Sequence, residues 1–179
     1  KKLAAGKMLG WFQGKMEFGP RALGNRSIIC SPLVPDMKEV LNARVTFREG
    51  FRPFAAIVLE EDCGKYFDCA YPNPYMLLVY NINPEYLGKL PAITHVDNSV
   101  RIQTVNETEN PEMRELLKAF KEETGYSVLV NTSFNIKGEP IVCSPSDAIR
   151  SFAVADMDYL IIGDFVVAKK GDEGSLVGL

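Results

Sequence analysis

Short apolar runs separated by polar, glycine-rich segments set the rhythm of this chain. Met8 to Phe12, Ile28 to Cys30, Phe54 to Leu59, Met76 to Ile82 and Ser127 to Val130 each read as a buried strand. Tyr159 to Ile162 and Phe165 to Ala168 predict a hairpin around Gly163-Asp164. The end of the stretch His95 to Val105 alternates, with Val100, Ile102 and Thr104 on one face and Ser99, Arg101 and Gln103 on the other. Helical periodicity is clearest after Asn110, a good cap followed by Pro111 and closed by Gly125, with Met113, Leu116, Leu117 and Phe120 as its apolar stripe. Ser144-Pro145-Ser146-Asp147 has the form of a capping box and predicts a helix that turns Ile149, Phe152 and Ala153 inward. Asp36 is placed to cap a shorter helix carrying Met37, Val40, Leu41 and Arg44, and Glu60 to Phe67 predicts another short one. The strand of Ser127 to Val130 is expected to break at Asn131, and Lys169 to Leu179 to form a frayed tail. Strands interleaved with helices imply an α/β layered fold.

Composition narrows the class. A chain of 179 residues, 46% of them hydrophobic, is long enough for one domain with a sizeable core. No run reaches the roughly 18 apolar residues of a membrane span, and no signal peptide is visible. Cys30, Cys63, Cys69 and Cys143 have neither metal-site nor secreted-scaffold spacing, which points to a reducing, cytoplasmic setting. One histidine, His95, cannot build a His-rich metal centre. A net charge of −3 argues against nucleic acid as a partner. The charge is unevenly spread, however: five of the eight arginines (Arg21, Arg26, Arg44, Arg48, Arg52) lie in the first third.

Candidate chemistry sits between the apolar runs. Gly14 to Ser27 combines glycines, which admit close approach of a ligand, with arginines, whose forked donors match phosphate or carboxylate oxygens. Gly14 and Gly19 have Walker-loop spacing, but Pro20-Arg21 follows where Lys and Ser/Thr are required, so this is not a P-loop. Four polar clusters fall at strand ends or in connecting loops: Arg21/Asn25/Arg26/Ser27, Arg48/Arg52, Arg101 with Gln103, and Asn131/Ser133/Asn135. Such a donor-rich set suits a polyphosphate or carboxylate, with catalysis by positioning and charge neutralisation. Glu17 and Glu139 are the acids nearest the clusters; either could help hold Mg²⁺, and a cap or surface ion pair is the plainer role for Glu139. Ser133 has no histidine near it in sequence and reads as a hydroxyl donor, not a nucleophile.

Gly14 to Ser27, Arg48-Glu49-Gly50-Phe51-Arg52-Pro53-Phe54-Ala55, His95-Val96-Asp97, Arg101-Ile102-Gln103-Thr104-Val105, Asn131-Thr132-Ser133-Phe134-Asn135 and Gly138-Glu139-Pro140-Ile141-Val142 together resemble the C-terminal domain of NodU/CmcH-type O-carbamoyltransferases. The resemblance runs from about Gly10 to Val167. It implies a YrdC-like fold, a twisted mixed sheet with flanking helices, filling residues 1–179 as a single domain. It further implies binding of ATP, with Mg²⁺, and of carbamoyl phosphate, and formation of carbamoyl-adenylate with loss of phosphate and pyrophosphate. An N-terminal Kae1-like domain of the same longer protein then passes the carbamoyl group to an acceptor hydroxyl. By resemblance, Arg26, Arg48 and Arg101 are catalytic and Arg21, Asn25, Ser27, Arg52, Asn131, Ser133 and Asn135 bind substrate or nucleotide; Glu17, read from its place beside the clusters, is the expected metal ligand. The sequence departs from the family where Thr46 replaces a common lysine and Asn98 a common glycine.

Two other classes compete. A nucleic-acid-binding module of the same fold predicts steeply salt-dependent RNA binding without ATP affinity. A degenerate domain that only docks against its partner predicts no thermal stabilisation by nucleotide.

Overall fold

The computed structural model describes residues 1–46 and 53–171. Its centre is one eight-stranded sheet, built from β1 (Leu9–Phe12), β2 (Arg26–Cys30), β3 (Ala55–Leu59), β4 (Val79–Asn81), β5 (Ser99–Val105), β6 (Val128–Ser133), β7 (Tyr159–Ile162) and β8 (Phe165–Ala168). The strand order is β4-β5-β3-β6-β2-β1-β7-β8. β3 runs parallel to β5 and β1 to β7, whereas β6 runs antiparallel to both of its neighbours, β2 and β3. One consequence matters for the site: the C-terminal end of β6 lies beside the N-terminal ends of β2, β3 and β5.

Helices cover both faces, and this is why β1, β2 and β3 are buried at every position instead of alternating. α1 (Met37–Leu41) and α4 (Pro145–Val154) pack with Met8, Phe12, Ile28, Ala56, Val58, Val130 and Leu160. α3 (Pro111–Thr124) covers the other face, setting Met113, Leu117 and Phe120 against Ile57, Leu59, Val105 and Leu129. α2 (Cys63–Tyr66) is a single turn after a 3₁₀ turn at Glu60–Asp62. The Asn110 side chain caps α3 by accepting from Met113 N at 3.0 Å, and Gly125 ends it in the left-handed region at φ 82°.

Four expectations need correction. α4 has its capping box, but Ala148, Ser151 and Phe152 face the core while Ile149 and Ala153 are exposed; the inward stripe is shifted by one residue. The strand expected over Met76 to Ile82 starts only at Val79, because Met76 is left-handed (φ 55°) and Asn73 holds Leu77 N and Leu78 O through its side chain. Asp36 makes no side-chain cap to α1, which passes into a π turn at Asn42–Thr46. β6 continues past Val130 through Ser133, paired with β2 on one side and with β3 as far as Asn131. The expected tail lies outside the described residues from 172 onward.

Ion pairs tie the turn after β3 to α3. Arg114 grips Glu61 with two nitrogens at 2.7 and 2.8 Å, and Lys121 reaches Asp62 at 2.7 Å. The Arg114 hydrogen bonds hold the Glu61 carboxyl below its ordinary value. Burial would raise Asp62, but hydrogen bonds from Lys121 and Ser127 outweigh it and leave this carboxyl low as well. Carboxyls depressed in the folded state bind fewer protons there than in the unfolded chain. Their stabilisation is therefore complete above the ordinary values of 4.5 and 3.8 and is lost as pH falls below them. Urea midpoints measured from pH 7 to pH 3 should drop in the acid limb, and the double variant Arg114→Gln/Lys121→Gln should flatten that drop.

Candidate functional site

Strand parity decides which polar groups meet. In the registers of β2, β6, β3 and β5, odd-numbered residues share the face that α3 covers. Toward one end that face is apolar, with Ile29, Ile57, Leu129 and Val105. Toward the other it carries Ser27, Asn131, Ser133, Arg101 and Gln103. The segment 13–25 arches over this polar end, and its carbonyls and amides satisfy the buried side chains beneath. Asn131 Nδ2 donates to Ala22 O (3.2 Å) and to Gln103 Oε1 (2.9 Å), and Gln103 Nε2 donates to Leu23 O (2.7 Å). Ser27 Oγ accepts from Gly24 N at 3.0 Å. Polar residues that seemed to end a strand are thus strand residues with a lid of backbone above them.

Glu17 holds the arch in shape. Its Oε1 accepts from the amides of Leu23 and Asn25 at 2.7 Å each and of Arg26 at 3.3 Å. Asn25 Nδ2 donates to Lys15 O, and its Oδ1 accepts from Asn110 Nδ2 at 2.8 Å, which locks the arch to the cap of α3. Gly24 lies where these meet: its φ is +101° and a Cβ there would stand 2.9 Å from Asn110 Nδ2. Gly24→Ala should accordingly cost about 1–3 kcal/mol, read as a lowered denaturant midpoint with unchanged slope.

Between the arch and the strand ends lies a polar cavity of about 100 Å³, lined by Pro20, Arg21, Ala22, Phe54, Met76, Arg101, Asn131 and Ser133 among others. Its walls come from five separate segments. Arg21 is exposed at its rim and pairs with none of the described residues. The volume is well under the roughly 300–1,000 Å³ of sites for drug-sized ligands, so it suits a small anion. A second cavity of about 410 Å³ on the same side is lined by Glu17, Phe18, Asn25, Tyr75, Gln103 and Asn110.

Arg21, Arg101, Asn131 and Ser133 are therefore brought together, and other expected ligand-binding residues are not. Arg26 lies opposite Phe12 on the other face of the sheet, its guanidinium carbon 3.5 Å from that ring's centroid. It donates to the carbonyls of Gln13, Asn25 and Gly14, and burial pulls its pKa down against the opposing pull of Glu17. Arg26 is a strut of the arch in this structure. Ser27 and Asn25 likewise spend their side chains on the arch. Asn135 Nδ2 donates to Ile136 O and Glu139 O, and Glu139 accepts from Ser151. Arg48 and Arg52 lie outside the described residues. No group of three or more His, Cys, Asp or Glu side chains suited to a metal ion occurs among the described residues. Mg²⁺ needs fewer, one or two carboxylates beside phosphate oxygens, and Glu17 Oε2 is buried without a partner.

Two roles escaped sequence reasoning. Asn110 is a link to the arch as well as a cap, for which no local signal exists. Asn98 has φ 63°, so a glycine at this position has a backbone reason, and Asn is the residue that best tolerates its absence. No helix among the described residues is long and apolar enough to cross a membrane, and all four cysteines are free.

Residues 1–169 match the family model described as carbamoyltransferase C-terminus. Nodulation protein NolO of Bradyrhizobium diazoefficiens is 46% identical over 94% of this chain and 31% of its own length. The 3'-hydroxymethylcephem-O-carbamoyltransferase of Streptomyces clavuligerus is 40% identical over 90% of this chain and 30% of its own length. The chain thus spans about three tenths of these relatives. The crystal structure of full-length HypF in its phosphate- and nucleotide-bound form shares the fold, with TM-score 0.61 and 19% identity over 90% of this chain and 24% of that one. The expected YrdC-like α/β architecture is the one adopted.

Proposed function

The chain belongs to the carbamoyltransferase C-terminal family, and from that premise we propose that it is the carbamoyl-activating part of an O-carbamoyltransferase acting in the cytoplasm. Carbamoyl phosphate binds in the small cavity, with its phosphate facing Arg21 and Arg101 and the Ser133 hydroxyl. Water cleaves it to carbamate and inorganic phosphate. A carbamate oxygen then attacks the α-phosphorus of ATP, the bond to the bridging oxygen breaks, and pyrophosphate leaves carbamoyl-adenylate behind. The arch and the sheet hold the anions and keep bulk water from the labile products. Glu17 Oε2 would hold Mg²⁺, which would supply neutralisation of phosphate charge. A Kae1-like N-terminal part, within the length that the relatives have beyond this region, passes the carbamoyl group to an acceptor hydroxyl.

The observation that carries this reading is the convergence of Arg21, Arg101, Asn131 and Ser133 on one polar cavity of small-anion size. Arginine forks with amide and hydroxyl donors match phosphate oxygens, and nothing in the set abstracts a proton from carbon. The test is exchange of labelled pyrophosphate into ATP by the purified protein. Label should enter ATP only when carbamoyl phosphate is present; exchange indifferent to carbamoyl phosphate would refute the proposal.

A further inference from the structure

Asn131 is 1% exposed and lines the cavity, yet one of its polar atoms has no partner. The orientation of its amide follows from the chemistry of the neighbours. Backbone carbonyls only accept, so Leu23 O must face Gln103 Nε2, which turns Gln103 Oε1 toward Asn131. Ala22 O must likewise face a donor. Both demands place Asn131 Nδ2 on the side of the arch, and a flipped amide would set oxygen against two oxygens. Oδ1 is left as the atom without a partner, an acceptor that is buried and unsatisfied. Buried acceptors without partners are rare in folded proteins and call for an explanation. A ligand N–H supplies one here, since the cavity's other polar side chains, Arg21, Arg101 and Ser133, are donors suited to an anion.

We propose that Asn131 selects a carbamoyl group over an acyl group by accepting a hydrogen bond from the substrate NH₂ on Oδ1. This rests on the carbamoyl-activating reading. Acetyl phosphate has the same phosphate and carbonyl with CH₃ in place of NH₂, so it would leave Oδ1 unsatisfied. A site built around a substrate N–H rejects the analogue that lacks it.

Titration calorimetry of the purified protein with carbamoyl phosphate and with acetyl phosphate tests the assignment. Carbamoyl phosphate should bind roughly 10- to 100-fold more tightly. In Asn131→Leu, similar in volume and without an acceptor, that preference should collapse to within about threefold, mainly through weaker carbamoyl phosphate binding. Asn131→Ala, which also lacks the acceptor, provides the same comparison should the leucine variant fail to fold. Equal affinity for the two ligands in the parent protein, or an undiminished preference in the variant, would overturn the role of Asn131 and leave the wider reading standing. Binding of neither ligand by the parent protein would remove both.

Discussion

Arg101→Ala should lower carbamoyl-phosphate-dependent pyrophosphate exchange by about 100-fold or more, while the unfolding free energy stays within about 1 kcal/mol of the parent. Arg101 belongs to β5, one position before Ile102, which pairs with Ala56 of β3. From there it lines the cavity with Asn131 and Ser133, strand residues themselves and therefore held rigidly. A guanidinium fixed on a sheet brings charge to the ligand without reorganising as charge develops, which is what makes such a group worth about 100- to 1,000-fold in rate. Arg101→Lys restores the charge without the planar fork and should recover only part of the loss. If both variants exchange label at the parental rate, Arg101 does not touch the reacting groups and the cavity is not the carbamoyl phosphate site.

Glu17→Ala should destabilise the protein by about 2–4 kcal/mol, because one carboxylate oxygen satisfies three backbone amides and alanine leaves all three without an acceptor. Exchange should fall with stability, since the same arch supplies Arg21 and the carbonyls that orient Asn131 and Gln103. Glu17→Gln separates two roles of this residue. It keeps an oxygen for the amides, so most of the stability should remain by chemical denaturation. If Glu17 also holds Mg²⁺, this folded variant needs a higher Mg²⁺ concentration for half-maximal exchange. An unchanged Mg²⁺ requirement would confine Glu17 to the arch.

Residues in one hydrogen-bonded network do not contribute independently. Asn110, Asn25, Glu17, Gly24, Gln103 and Asn131 form a continuous set running from the cap of α3 to the centre of the sheet. Double substitutions within it should therefore depart from the sum of the single ones, read as unequal shifts in denaturant midpoint. Arg26 joins the set from the opposite face through Gln13, Gly14 and Asn25 carbonyls.

Much of the fold was legible because it rests on local rules. Asn110-Pro111 and Gly125 delimit α3, Ser144 and Asp147 open α4, and Gly163-Asp164 turns β7 into β8, all as patterns of near neighbours in the chain predict. Where those rules misled, a long-range partner had intervened. Asn73 displaced the start of β4 by occupying Leu77 and Leu78, and the arch allowed β6 to carry Asn131 and Ser133 inside the sheet.

The identities of the site residues are another matter. Composition and spacing established that Arg21, Arg26, Arg101, Asn131 and Ser133 form a donor-rich set, but the chemistry of a side chain carries no record of which face it will take. Antiparallel and parallel registers settled that: odd positions of β2, β3, β5 and β6 came to one side, so Arg101 and Ser133 line the cavity while Arg26, one residue from Ser27, points away. A period of two along each strand is local and can be read in the chain; the phase between strands is set by pairing across 46 to 106 residues of sequence, and only folding supplies it.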